Sequence, residues 1–377
     1  MRYKIINKRK LIVTIILDAF GRFVFSIWKK NYNHTFDAEQ INKILIIRTA
    51  YVGDVIMTLP VLKPLKEKFT EAKIDFVTAH NAAELLKGNP YIHNIYPFNP
   101  FWFYKSSLMD YLKFMRRFQK ETYDLIIETR GDIRELMMIV SRLKSKIKIS
   151  YAVGGGSYFL THVVPFQNVK HRVEYHLDLV RYLGCEANKI DWNIYLQKDE
   201  IDRIDCILAE NNIRGEFITV HPGSRLPLKI WLSERYAQLC NLINHFFRLP
   251  VLILGAPNEK ELIDKIISDL NFIPINLVSK LSLRELAGLL SRCRLFICND
   301  SAPMHLAAVM NAPTVAIFGP SKSQETKPYG NISRVVGKDL LCRKSCDEHH
   351  CHNGSYQACM KAISVEDVFA AVKELML

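Results

Sequence analysis

From residue 43 onward, short apolar runs alternate with amphipathic stretches. Ile44-Leu-Ile-Ile47, Ile74–Val77, Leu125–Glu128 and Ile147–Tyr151 have the length and β-branched content of buried strands. Between them, 55–69, 106–121 and 134–143 repeat apolar positions at helical spacing. Glu174–Leu183 predicts a helix stopped by Gly184. A helical, charge-rich connection near 198–211 follows, and the alternation resumes. Ile218–His221, Val251–Leu254, Leu295–Cys298 and Thr314–Phe318 read as strands, and 234–247 and Glu259–Leu270 as helices. Ser282-Leu-Arg-Glu285 is a capping box for another helix. Such alternation predicts an α/β protein with two doubly wound, mostly parallel sheets in tandem.

The most compact unit is Leu295–Pro320, strand, helix and strand in close succession. Asp300 or Ser301 is placed to cap its helix, Pro303 suits the first turn, and Asn311 with Pro313 stops it. The loop leaving the first strand would aim backbone N–H groups above the sheet, a site suited to phosphate. Loops 48–54, 221–229, 255–259 and 299–305 all follow strands, where ligands of doubly wound sheets bind. If two such domains face each other, these loops line a cleft.

The pattern before residue 43 differs. Residues 11–28 are largely apolar between Lys8-Arg-Lys10 and Lys29-Lys30. Thr14, Asp18, Arg22 and Ser26 form one inclined polar row, with Ile12, Ile16, Phe20, Phe23 and Ile27 opposite. Asp18 and Arg22 each cost roughly 2.5–3.5 kcal/mol at the centre of a membrane span. A helix lying in an anionic bilayer interface fits the pattern, and a helix packed on protein is the alternative. The formal net charge of +13 points to anionic partners, and much of the excess lies in this arm. Hydrophobic content of 49% and charged content of 24% are those of an ordinary globular α/β chain. Nine cysteines and no small-residue cleavage site predict a reducing, cytoplasmic setting.

Candidate chemistry sits in the loops. Gly223, Ser224, Arg225 and Lys229 follow one strand; Glu259 opens a helix; Asp300, Ser301, Ala302 and His305 follow another strand. Lys229 is a point charge suited to phosphate, and Glu259 could favour a helix dipole or accept from a ribose. Asp54 is the one carboxylate of its loop, a cap or a base. The Walker and Gly-x-Gly-x-x-Gly fingerprints are absent, which removes kinase-like and ordinary dinucleotide readings. No nucleic-acid reader motif accompanies the basic charge. Cys342, Cys346, Cys351 and Cys359 fall among His349, His350 and His352 without a paired Cys-x2-Cys spacing. Reduced thiols, local pairing and structural zinc stay open for them.

Four segments in order resemble glycosyltransferase family nine, the ADP-heptose–lipopolysaccharide heptosyltransferase family. They are KILIIRTAYVGDVIMTLPVLKPLKEK from Lys43, HPGSRLPLKIWLSERY from His221, LGAPNE ending at Glu259, and NDSAPMHLAA with FGP. HRVEYHLDLVRYLG from His171 is similar as well. The resemblance implies a GT-B fold of two Rossmann-like domains around a central cleft, and inversion without an essential metal or cofactor. It puts the general base on Asp54, the diphosphate lysine on Lys229, the ribose acid on Glu259, and a phosphate-binding helix start on Asp300, Ser301, Ala302 and His305. With the arm at 1–42 standing before the resemblance, the expected domains are an acceptor-side one at 43–200, a nucleotide-sugar one at 201–340, and a Cys/His-rich tail at 341–377 whose helix Val365–Leu375 packs back on the first domain as in GT-B chains.

Three positions depart from the family pattern: Ala302 for Gly, Leu232 for Pro, and Leu226-Pro-Leu228 before the lysine. The expected partners are ADP-heptose and an acidic glycolipid at the cytoplasmic face of the inner membrane. Another nucleotide sugar, an epimerase of the same architecture, or a non-catalytic membrane scaffold are the alternatives. Product analysis without acceptor separates the second, and a turnover assay the third.

Overall fold

The computed structural model describes residues 41–118, 120–166, 169–188 and 190–377, with parts of a helix within 12–23. The chain divides into two compact units, Met1–Trp192 and Asn193–Leu377. The linker region 193–200 therefore belongs to the second unit rather than the first.

The first unit is built on a six-stranded parallel sheet. Its strands are β1 (Lys43–Arg48), β2 (Lys73–Thr78), β3 (Asn94–Pro97), β4 (Thr122–Glu128), β5 (Lys144–Ser150) and β6 (His162–Val163), in the order β3-β2-β1-β4-β5-β6. β1 lies in the middle because Ile44-Leu-Ile-Ile47 is apolar on both faces and helices cover both. The single helix expected over 55–69 is three pieces, Val52–Ile56, Leu59–Val61 and Leu62–Lys68. Pro60 lacks the N–H that a continuous helix needs there.

The second unit repeats the plan with β7 (Ile218–His221), β8 (Val251–Ile253), β9 (Ile275–Asn276), β10 (Leu295–Asn299), β11 (Thr314–Phe318) and β12 (Ser333–Gly337), in the order β12-β11-β10-β7-β8-β9. The Ser282–Glu285 capping box forms as expected. The helix Val365–Met376 buries Val365, Val368, Val372 and Leu375 in the core made by β7, β8, β10 and β11. The expectation that it packs on the first domain is thus corrected. Its apolar stripe has the spacing to fill the face of the nearest sheet, which is the second one.

In each sheet the strand order reverses beside the first-made strand. β1 pairs with both β2 and β4, and β7 with both β8 and β10. Loops leaving β1 and β4 diverge around one crevice, and loops leaving β7 and β10 around another.

In the arm, the described residues Ile12, Thr14, Ile15, Ile16, Asp18–Gly21 and Phe23 are helical. Asp18 is wholly buried, while Ile16 and Phe20 are 62% and 66% exposed. Arg22, Ser26 and Ile27 lie outside the described residues. Among the described residues, no helix is long and apolar enough to cross a membrane.

Candidate active site

In the first unit the site begins where β1 ends. Arg48 is the last residue of that strand and only 2% exposed, so its guanidinium needs a partner. Asp54, in the first turn of the helix Val52–Ile56, supplies it: Asp54 Oδ1 lies 2.8 Å from Arg48 Nη2 and 3.9 Å from Arg172 Nη1. No side chain caps that helix, so the cap role open for Asp54 is not the one it plays. Burial opposes ionisation of Asp54, but Arg48, Arg172 and Arg130 together hold its carboxyl well below the usual carboxylate range.

His171 positions Arg172. Its Nδ1 accepts the Val173 amide at 3.2 Å and caps the helix Arg172–Tyr182. One turn on, His176 Nδ1 donates to the Met57 carbonyl at 2.8 Å. Burial, and then Arg48, push His176 down to about 3, so it is neutral beside the arginine cluster. Beneath these groups lies a buried carboxyl pair. Glu128 accepts from the Arg130 and Gly131 amides at 2.9 and 2.7 Å, and Thr49 donates to Glu135. Burial and the facing Glu135 push the Glu128 carboxyl well above the usual carboxylate range.

In the second unit Lys229 is the centre. It ends the turn Pro227–Lys229, and its Nζ lies 2.8 Å from Asp300 Oδ2 and 3.1 Å from Glu348 Oε2. Ser321 donates to Asp300, and Ser224 Oγ donates to the Asp300 carbonyl at 3.2 Å. Asp300 is therefore fixed on three sides and does not cap the helix Ala302–Val309. Ser301 stands at the N-cap position but makes no cap hydrogen bond either. Pro303 occupies the first turn as expected. Ala302 is half-buried, His305 is buried within the helix, and Arg225 is exposed. Asn299 ties the two switch-point loops together, accepting the Trp231 amide and donating to the Pro222 carbonyl.

Beside this cluster, Glu259 Oε2 accepts the Ala256 amide at 2.8 Å and lies 3.3 Å from His221 Nε2. Burial opposes its charge, but His221 and the amide lower its pKa and keep it ionised. A Cβ at Gly223 would fall 2.0 Å from the Glu259 carboxylate, so the glycine leaves the room in which that carboxylate sits.

The tail joins this site. Gln357 Nε2 donates to the Pro227 carbonyl at 2.7 Å, and Arg343 Nη2 donates to the Gly319 and Ser321 carbonyls. Cys342, Cys346, Cys351 and Cys359 are free thiols lining one small cavity with Leu228. The unusual Leu226-Pro-Leu228 approach to the lysine thus supplies an apolar wall and a carbonyl to the tail.

Asp54, Lys229, Glu259 and Asp300 were expected from the sequence, and Lys229, Asp300 and Ser224 are brought together. Arg48, Arg172, His176, His221, Ser321 and Glu348 were not singled out. A buried arginine closing an apolar strand, with one carboxylate in the next loop, was a signal for the Arg48–Asp54 pair. Glu348 had none, because its partner is distant in sequence.

Two six-stranded, doubly wound parallel units with polar loops at both switch points have the architecture of the GT-B fold. The chain belongs to glycosyltransferase family 9, the heptosyltransferase family, whose model matches residues 111–357. It is 27% identical to lipopolysaccharide heptosyltransferase 1 of Campylobacter coli, covering 88% of this chain and 98% of that protein. It is 25% identical to lipopolysaccharide heptosyltransferase 3 of Escherichia coli K12, covering 86% and 96%. A family 9 glycosyl transferase of Veillonella parvula has a similar fold, with a TM-score of 0.80 at 21% identity, over 91% of this chain and 98% of that one. A heptosyltransferase of E. coli solved with ADP is also similar in fold, with a TM-score of 0.68 at 18% identity, over 88% and 99%.

Proposed function

We propose that this chain transfers heptose from ADP-heptose, with inversion, to an acidic glycolipid of the lipopolysaccharide core. The observation that carries the reading is the Lys229–Asp300 pair beside a helix start that no side chain caps. Lys229 and the N–H groups at Ser301 and Ala302 would take the negative charge that gathers on a departing diphosphate. Glu259, ionised in the space that Gly223 leaves, suits a ribose hydroxyl pair. No metal is needed for this arrangement, and turnover is expected to survive EDTA.

The acceptor hydroxyl attacks the anomeric carbon as ADP leaves, through an oxocarbenium-like state. Its proton passes to Asp54. A carboxylate held this far down is a weak base, so it collects the proton late, once the new C–O bond has made the hydroxyl acidic. The arginines around Asp54 suit an acceptor bearing phosphate or carboxylate groups. The basic flanks and apolar face of the arm support residence at the cytoplasmic face of the inner membrane.

The test is incubation with ADP-heptose and core glycolipid from a strain lacking this gene. Release of ADP with addition of one heptose in the opposite anomeric configuration is expected. Turnover only with another nucleotide sugar overturns the donor assignment, and loss of turnover on EDTA dialysis overturns the metal-independent mechanism.

A further inference from the structure

The arm helix is amphipathic in the inverse sense to a helix packed on a core. Its small and polar positions face the protein. Asp18 is wholly buried, and its Oδ1 accepts the Gly156 amide at 2.7 Å. Gly21 lies so close to Tyr158 that a Cβ there would come within 2.3 Å of the ring. Gly155 has φ +89°, and a Cβ on it would meet Thr14 and Asp18 at 3.2 and 3.3 Å. Glycines on both sides thus let helix and loop approach closely. The outward face carries Ile12, Ile15, Ile16 and Phe20, all exposed. A contiguous apolar face of this kind marks an interaction surface.

Charge selects the partner. Lys8, Arg9, Lys10, Lys29 and Lys30 bracket the helix in sequence, and basic flanks around an apolar face match an anionic bilayer. The receiving loop follows β5 and is joined to the loop after β4, since the Gly154 amide donates to the Gly131 carbonyl at 3.0 Å. Arg130, next in the chain, is one of the arginines that hold Asp54 ionised.

We infer that the loop 154–158 is a clasp that holds the arm helix polar side inward while its apolar side lies on an anionic bilayer, fixing the bilayer at the carboxyl end of the first sheet, beside Asp54. This rests on the membrane reading of the arm and adds to it. A tethering arm would leave the protein free to turn, whereas a clasped one presents the acceptor-side loops to lipid-linked substrate.

The experiment is amide hydrogen exchange at Gly156, with and without phosphatidylglycerol–phosphatidylethanolamine vesicles, on the full chain, after flotation has established binding. In wild type the amide should exchange about tenfold more slowly than in Asp18→Ala, the equivalent of about 1.4 kcal/mol for a charge-assisted bond. Asp18→Asn, which keeps an acceptor oxygen, should restore most of that protection. Vesicles should leave the wild-type protection in place. Vesicle-induced exchange at the Asp18→Ala rate means that the helix leaves the loop to enter lipid, and overturns the clasp. Equal rates in wild type and Asp18→Ala without vesicles overturn it as well. Failure of wild type to float with vesicles removes the membrane reading itself and the clasp's role with it, a result distinguishable from both.

Discussion

Asp54 and Arg48 illustrate how one contact serves structure and chemistry together. Replacing Asp54 by Asn should lower kcat by roughly 10²–10⁴-fold if the carboxylate takes the acceptor proton. It also leaves Arg48 buried with a weaker partner, and removal of one member of a buried pair costs up to about 3–5 kcal/mol. A lower melting temperature should therefore accompany the kinetic loss, and rates must be compared well below it. A kcat near wild type would leave Asp54 only its structural role. The pH dependence has a definite sign. With its folded pKa depressed, Asp54 contributes stability above its unfolded value, about 3.9, that is lost as pH falls further. His176, neutral in the fold down to about 3, costs stability as the unfolded chain takes up a proton below about 6.5. Histidine NMR should accordingly show His176 flat between pH 5 and 8. A titration midpoint near 6.5 would mean that it is not enclosed as described.

The elements legible in the sequence are those buried on both faces. β1, β2, β7, β10 and β11 fall within a residue or so of expectation, because parallel central strands are written as unbroken apolar runs. Asn94–Pro97, His162–Val163, Ile275–Asn276 and Ser333–Gly337 were not anticipated, and each is an edge strand. An edge strand needs little apolar content; Ser333–Gly337 is largely exposed, with Arg334 within it. The site divides likewise. Loop residues at fixed spacing were readable, whereas the tail's approach to Lys229 depends on tertiary packing. That approach has a consequence. Asp300 is buried and held by Ser321, so Glu348, 37% exposed at its side chain, is the carboxylate free to yield when diphosphate arrives. Glu348→Gln should tighten ADP binding roughly two- to fivefold, the scale of about 0.5–1 kcal/mol for a partly exposed ion pair. Weaker ADP binding in calorimetry would show that Glu348 supports the site instead of occupying it.

At the scale of the molecule, the two units repeat one topology with separate cores, and the basic excess gathers toward the first of them. They differ in when their cores close. Every strand of the first unit has been made by residue 163. The second core contains Val368, Val372 and Leu375 within the last ten residues of the 377-residue chain. Deleting 365–377 should therefore give a chain in which limited proteolysis spares the first unit and degrades the second, and equal resistance of both would contradict the packing described here. On the ribosome, the first unit can close while synthesis continues, as domains commonly do. The second must wait with its sheet uncovered until the helix Val365–Met376 has been made and has emerged. Any interruption of synthesis before that helix is made leaves the apolar face without its cover, so closure of the second unit itself reports that the helix has arrived.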